Sequence, residues 1–485
     1  MARSYDEEAT MPGGDTLHEA CGIVGIYAPG NEVARHAYFG LYALQHRGQE
    51  SAGIAVSDGA TIVCHREMGL ISSIFDEEIL ANLTGYIAVG HTRYSTTGSS
   101  AVVNAQPLLE HATFGDLTVA HNGNLTNTDD LRGTLDVATV LSATSDSEVL
   151  AKAIVQAPGA DMIARIRHVM SRADGAYSIV MSTEKALFAF RDPWGVRPLC
   201  YGRFPSGGYM FASESCALAT VGVEYIRELE PGEIVWVDGE GLHTDRARAN
   251  KPQALCMFEY IYFARPDSIL NGKSIYMARL EMGRQLAREH PADADVVMAI
   301  PDSAIPGGIG YAQESGLDYV EGLIKNRYIG RTFISPDQRM RARGVQLKFN
   351  PIVELLENKR VVVVDDSIVR GTTTPRIVKL VRDAGAREVH VRITSPPIIH
   401  PCYLGVDMAS HEELIAANNS IEEIRVKIGA DSLGFLSKDG LLHSIARRRG
   451  QMCMGCLTGE YPETYNGDPL PERAVTPVPE PILQS

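Results

Sequence analysis

The segment RVVVVDDSIVRGTTT, residues 360–374, limits the folds open to this chain more than any other stretch. Four consecutive valines make a strand buried on both faces, and such strands belong to parallel sheets covered by helices. The strand stops at two carboxylates. A Gly/Thr loop then opens residues 375–384, which carry Ile377, Val378, Leu380 and Val381 on one helical stripe. Residues 388–393 form the next strand-like run. Strand, loop, helix and strand make a βαβ unit, so a parallel α/β sheet is expected after Pro252, with residues 294–300 as a further buried strand.

Before Pro252 the rhythm differs. Short strand-like runs at 22–27, 53–56, 86–89, 117–120, 177–181, 186–191 and 234–237 are separated by Gly, Asp and Asn turns. Helical periodicity appears at 34–45 and 147–154, which predicts an α+β region with much antiparallel sheet. A chain of 485 residues is too long for one ordinary core. Two domains are therefore expected, at 21–250 and 251–460, followed by a mobile tail with six prolines in its 25 residues.

A net charge of −15 argues against nucleic acid as the main partner, because tracking phosphates needs a basic excess. No apolar run approaches the length of a membrane span. The first 20 residues are acidic and lack both parts of a secretory signal, so a cytoplasmic location is expected.

The loop after the valine strand suits a phosphate. Its amides and Thr hydroxyls converge with a helix N-terminus and its dipole. Asp365 and Asp366 stand at the carboxyl end of the strand, where open α/β sheets bind ligands. An Asx turn with a helix cap would account for Asp-Asp-Ser alone, but not for the whole string. The stretch resembles the phosphoribosyl pyrophosphate (PRPP) signature of type I phosphoribosyltransferases. That resemblance implies that Asp365 and Asp366 hold the ribose hydroxyls and approach Mg²⁺, while Ser367, Arg370, Gly371, Thr372, Thr373 and Thr374 surround the 5′-phosphate. It also implies that residues 300–308 form a pyrophosphate loop in which Ser303 helps place the Mg²⁺. Lys325, Arg327, Arg331, Arg339, Arg341 and Arg343 make a dense basic stretch in an acidic protein. A solvated charged loop is the commonest meaning of such a run. Here a lid that neutralises departing pyrophosphate and excludes water fits better.

In the first half, Cys21 begins the strand CGIVGI behind the acidic leader. A lone cysteine in that setting is more often a small core residue than a nucleophile. Three features alter the balance. HTRYSTTG, residues 91–98, puts Arg93 after a strand, suited to a bidentate grip on a carboxylate. HNGN, residues 121–124, offers an Asn side chain beside a Gly amide, a plausible oxyanion hole. SDSE, residues 145–148, offers an anion for a substrate ammonium, although it also reads as a helix N-cap. The set resembles the N-terminal-nucleophile glutamine amidotransferase domain, in which the cysteine's own α-amine is the base. The resemblance implies removal of residues 1–20, attack by Cys21, oxyanion stabilisation by Asn122 and Gly123, and glutamine binding by Arg93 and Asp146. An α-amine titrates near neutrality, whereas a peptide nitrogen cannot take the proton. His46, Arg47 and Gln49 are expected to shape the pocket without assigned roles.

Both halves in this order, over residues 21–460, resemble the glutamine PRPP amidotransferase family. The implied fold is an α+β N-terminal-nucleophile glutaminase domain of stacked antiparallel sheets with helices, then an α/β type I phosphoribosyltransferase domain on a parallel sheet. The implied reaction converts glutamine, water and PRPP into 5-phosphoribosylamine, glutamate and pyrophosphate, the first committed step of purine synthesis. Ammonia would pass through an internal channel that residues 258–268 help to line. Other amidotransferases share the thiol half but not the valine–aspartate segment. Non-catalytic PRPP or purine sensors would not need the thiol half.

Cys453 and Cys456 form a CxxC, with Cys256 and Cys402 as distant candidates. Four thiolates suit zinc or an iron–sulfur cluster, and spacing does not choose between them. One subclass of the family carries both a cleaved leader and a [4Fe–4S] cluster on cysteines matching 256, 402, 453 and 456. The resemblance therefore implies one structural cluster and one Mg²⁺ per subunit. It also implies a homo-oligomer, often a tetramer, inhibited by purine nucleotides. Cys64, Cys200 and Cys216 are expected in the core.

Overall fold

The computed structural model describes residues 21–94, 101–247, 251–326, 348–406, 408 and 410–462. Residues 1–20, residues 463–485 of the tail and the basic stretch that includes Arg327, Arg331, Arg339, Arg341 and Arg343 lie outside the described residues.

Alternation along the strands builds the first half. In Gly22–Tyr27, Val24 and Ile26 face one core while Ile23 and Tyr27 face another. A strand apolar on both faces must lie between two layers. It sits in the middle of a seven-stranded antiparallel sheet ordered Glu224–Glu228, Cys200–Arg203, Tyr209–Ala212, Gly22–Tyr27, Ile87–Arg93, Ser51–Ser57 and Ile62–Met68. A second antiparallel sheet of six strands runs Gly241–Arg246, Glu233–Asp238, Leu187–Arg191, Gly175–Thr183, Gly115–Leu125 and Leu108–Ala112. The sheets meet through Ile23, Val89, Ala120, Val180, Leu187 and Val235. Gly25 permits this close approach, since a Cβ there would lie 2.3 Å from Val180 Cγ1. Helix Val33–Ala43 covers the outer face of the first sheet. Asp146–Gln156 and Met162–Met170 cover the second.

The second half is built on a five-stranded parallel sheet, ordered Asp318–Tyr319, Val296–Ala299, Arg360–Asp365, Glu388–Ile393 and Ser432–Phe435. Val362 and Val364 enter one core, and Val361 and Val363 the other, so both faces are covered as the valine run requires. Helix Thr374–Asp383 places Ile377, Val378 and Val381 on the sheet.

Two features depart from the sequence reading. Residues 300–308 are not one loop: a short turn runs into helix Ile305–Ser315. Gly310 there serves helix packing, because a Cβ on it would stand 1.9 Å from Leu280 O of helix Ile275–Glu289. Cys64 is half-buried on the edge strand Ile62–Met68, whereas Cys200 and Cys216 are buried as expected. Among the described residues no helix is long and apolar enough to cross a membrane.

Candidate active site

Cys21 leads into Gly22–Tyr27, whose antiparallel register sets Gly22 opposite Thr92. This puts the thiol at the end of Ile87–Arg93, where Cys21 Sγ donates to Tyr94 O at 3.5 Å. Burial pushes the thiol pKa up, while the nearby Arg93 charge acts the other way. A protonated thiol in that position needs a base. Glu50 and Asp146 also lie within electrostatic reach, and Arg93 Nη1 stands 3.9 Å from Glu50 Oε2.

Asn122 and Gly123 lie on Gly115–Leu125, in the facing sheet. Asn122 is fully buried, yet among the described residues neither Nδ2 nor Oδ1 has a hydrogen-bond partner. Leaving both unsatisfied is costly, and buried polar groups are normally paired. A bound oxyanion would satisfy the donor. Gly123 has φ +150°, and a Cβ there would lie 2.0 Å from Ala176 O, so only glycine fits. Asp146 opens helix Asp146–Gln156, and its Oδ2 accepts from Leu125 N at 2.9 Å, three residues beyond Asn122. Ser145 occupies the cap position but makes no side-chain cap bond. The structure thus gathers Cys21, Arg93 and Asp146, and ties Asp146 to the strand bearing Asn122 and Gly123.

His46 and Arg47, expected to shape this pocket, hold the site from behind through two carboxylates the sequence did not point to, Glu214 and Glu259. Arg47 is fully buried and donates from Nε to Cys21 O at 3.3 Å. Its Nη1 donates to Glu214 Oε1 at 2.6 Å and to Glu259 Oε2 at 3.0 Å, while Nη2 donates to Glu259 Oε1 at 2.8 Å. His46 Nε2 lies 2.7 Å from Glu214 Oε1, and Arg265 N and Ser268 Oγ donate to Glu214 Oε2. Burial acts to raise the Glu214 carboxyl pKa, but His46, Arg47 and its hydrogen bonds carry it well below the ordinary range. Glu259 begins the buried helical turn Glu259–Phe263 at the junction of the halves. Arg279 donates to Tyr260 O and Ala264 O, each at 2.8 Å, and lies within electrostatic reach of Asp366. The segment expected to line the channel thus meets the thiol site through Glu259 and Arg47, and its backbone holds Arg279, whose charge reaches Asp366.

At the second site, Arg360–Asp365 ends at the carboxylate pair. Asp366 is buried, which pushes its carboxyl pKa up, and it accepts from Ser303 Oγ and from Ser367 Oγ at 2.7 Å. Asp365 is half-buried and accepts from Asp366 N at 2.9 Å. Gly371 has φ +72°, and Thr373 precedes helix Thr374–Asp383, where Thr374 is buried and Thr372 exposed. Arg370 Nε donates to Glu413 Oε2 at 2.8 Å, and Lys325 pairs with Asp302. Ser303, Asp365 and Asp366 are thus brought together. Among the described residues no three or more His, Cys, Asp or Glu side chains are grouped to hold an ion. Mg²⁺ needs no such cage, since one or two carboxylates and substrate phosphates suffice. The hydroxyl and carboxylates present fit it.

The four candidate cysteines gather at the junction. Leu255–Cys256 pairs in parallel with Met452–Cys453, placing Cys256 opposite Cys453. Cys402 and Cys456 lie within electrostatic reach of both. Burial pushes the Cys256 thiol up to about 11. The fully buried Arg197 faces Cys256 and Cys402, and its Nη1 lies 3.5 Å from Glu259 Oε1. Four neighbouring thiols beside a buried cation fit an anionic, thiolate-bound group.

A family model described as a glutamine amidotransferase domain matches residues 91–220. An amidophosphoribosyltransferase of Synechococcus elongatus is 50% identical over 455 residues, 92% of each chain. One of Methanocaldococcus jannaschii is 49% identical, covering 92% of this chain and 98% of that one. A solved glutamine PRPP amidotransferase from B. subtilis, complexed with ADP and GMP, superposes with a TM-score of 0.86 at 46% identity, over 91% of this chain and 97% of that one. With that likeness of sequence and fold along nearly the whole length, the chain belongs to the amidophosphoribosyltransferase family.

Proposed function

We propose that this chain hydrolyses glutamine at Cys21 and passes the ammonia internally to C1 of PRPP, giving 5-phosphoribosylamine, glutamate and pyrophosphate. The observation that carries the reading is the fully buried Asn122 amide, unpartnered beside Gly123 in a chain that also ends a parallel strand in Asp365-Asp366.

Removal of residues 1–20 frees the α-amine of Cys21, which takes the thiol proton. Arg93 holds the glutamine α-carboxylate and Asp146 its ammonium. The thiolate attacks the amide carbon, and Asn122 Nδ2 and Gly123 N–H take up the oxyanion charge. The α-ammonium returns its proton to the leaving nitrogen as the C–N bond breaks, ammonia departs, and water cleaves the thioester to glutamate and the free thiol. In the second domain Asp365 and Asp366 bind the ribose hydroxyls, and the loop from Ser367 to Thr374 holds the 5′-phosphate. Ammonia attacks C1 as the bond to pyrophosphate breaks. A bound Mg²⁺ at Ser303, Asp365 and Asp366 would offset the charge of the leaving group. Cys256, Cys402, Cys453 and Cys456 would hold a [4Fe–4S] cluster that fastens the chain's last segment to the domain junction. Purine nucleotides are the proposed inhibitors, a cytoplasmic location is proposed, and the assembly is a homo-oligomer.

The test is glutamine-dependent pyrophosphate release from PRPP by the processed protein. Stoichiometric glutamate and pyrophosphate are expected. Glutamate release without consumption of PRPP would refute the second half of the proposal.

A further inference from the structure

Asn122 and Gly123 belong to the first domain, but backbone from the second domain packs against Gly123 and its neighbour Asn124. A Cβ at Gly405 would stand 2.9 Å from Gly123 C, 3.1 Å from Gly123 Cα and 3.2 Å from Asn124 N. Gly405 itself has φ +93°, where side chains are disfavoured. Asn124 Nδ2 donates to Tyr403 O at 3.0 Å. Between these two contacts, Arg197 donates from Nε and Nη2 to Leu404 O at 3.0 and 2.6 Å.

Arg197 is held in turn by the oxyanion sheet. Its carbonyl accepts from Arg191 Nε at 2.6 Å and from Ser178 Oγ at 3.0 Å. Ser178 is the cross-strand partner of Asn122. The contacts therefore close a ring: Asn122 to Ser178, Arg197, Leu404, Gly405 and back to Gly123. On the other side, Ala176 O leaves no slack around Gly123. The Gly123 peptide is clamped between its own sheet and a segment more than 270 residues away in sequence, as the Asn124–Tyr403 separation of 279 shows. Leu404 N also donates to Cys402 Sγ at 3.4 Å, so the same segment reaches the thiol group.

We infer that residues 403–405 of the second domain are a positioning element for the oxyanion donors of the thiol site. The inference rests on reading Asn122 and Gly123 as those donors. Its physical basis is that oxyanion donors act only when held about 3 Å from the developing charge, and small displacements forfeit much of their effect. Gly405 and Asn124 would touch no substrate atom. They act through Gly123.

The test uses the processed full-length enzyme carrying Gly405→Ala or, separately, Asn124→Ala. Gly405→Ala should lower kcat for glutamine hydrolysis about 10- to 100-fold, a large part of the effect of losing an oxyanion donor. Asn124→Ala should lower it about 3- to 10-fold, because it removes one hydrogen bond of the clamp. KM for glutamine should stay within about twofold, because ground-state binding through Arg93 and Asp146 is untouched. Two further readouts distinguish positioning from loss of fold. Pyrophosphate release from PRPP with ammonia as nitrogen donor should be retained. So should alkylation of Cys21 by iodoacetamide, a displacement that needs no oxyanion hole.

The inference is overturned if Gly405→Ala and Asn124→Ala leave kcat within twofold. It is equally overturned if glutamine hydrolysis, ammonia-dependent turnover and alkylation all fall together in both variants. If Gly405→Ala does not fold, Asn124→Ala decides on the same criteria. Asn122→Ala separates the two levels of the argument. Unchanged kcat in that variant overturns the oxyanion reading and the inference with it. A fall there, with no effect in the other two variants, overturns the inference alone.

Discussion

Replacing Glu259 with alanine would expose how the two domains are fastened behind the thiol. Glu259 has no solvent exposure, accepts from both terminal nitrogens of Arg47, and lies 3.5 Å from Arg197 Nη1. Its removal leaves two fully buried guanidiniums that disfavour each other's charge. Glu214 still faces Arg47 at 2.6 Å, and Leu404 O still accepts from Arg197. Breaking a buried pair by deleting one partner costs about 3–5 kcal/mol, and the surviving partners place Glu259→Ala at the lower end, about 3 kcal/mol. Glu259→Gln keeps the volume and one carbonyl acceptor, so it should lose less. Urea unfolding of the mature enzyme, followed by circular dichroism, would read the loss as a lower midpoint at unchanged slope. Because Arg47 also holds Cys21 O, glutaminase activity should fall in the same variants. A loss under about 1 kcal/mol for Glu259→Ala would refute the reasoning, since it would mean that water reaches these guanidiniums.

Arg93→Ala should raise KM for glutamine about 10- to 100-fold, the worth of a charge-assisted bidentate contact, as measured by glutaminase kinetics. Asp366→Asn should lower pyrophosphate release at least about 100-fold while basal glutamine hydrolysis stays within a few-fold, because the two sites are served by different domains. Glu214 is held below the ordinary carboxylate range, so it contributes stability that is full above the unfolded pKa of about 4.3 and is lost as pH falls below it. Acid unfolding midpoints should show this, and Glu214→Gln should flatten that limb.

The parallel sheet was legible because the valine run and the stripe of residues 377–381 obey local rules that tertiary context did not override. The candidate thiol-site groups stood out by residue type, although Asn122 and Gly123 lie within strand Gly115–Leu125 rather than in the turn expected after it. The fastening did not. Arg47 meets Glu214 and Glu259 across 167 and 212 residues, and no periodicity encodes such a meeting. The one local sign was a glutamate inside the apolar run FEYIYF, where a charge has no business unless it is paired. Helix Ile305–Ser315 was hidden for the opposite reason: its glycines look like loop residues, yet Gly310 lets two helix backbones approach closely. The contact of Gly405 with Gly123 left no trace in sequence beyond the two glycines themselves.

The proposed base of the thiol site is the α-amine of Cys21, which a peptide bond to Ala20 would abolish. Intact-mass spectrometry of separated processed and unprocessed chains, each assayed for glutamine hydrolysis, decides this. Active chains should begin at Cys21, and chains retaining residues 1–20 should release no glutamate. An active chain that still carries those residues would contradict it.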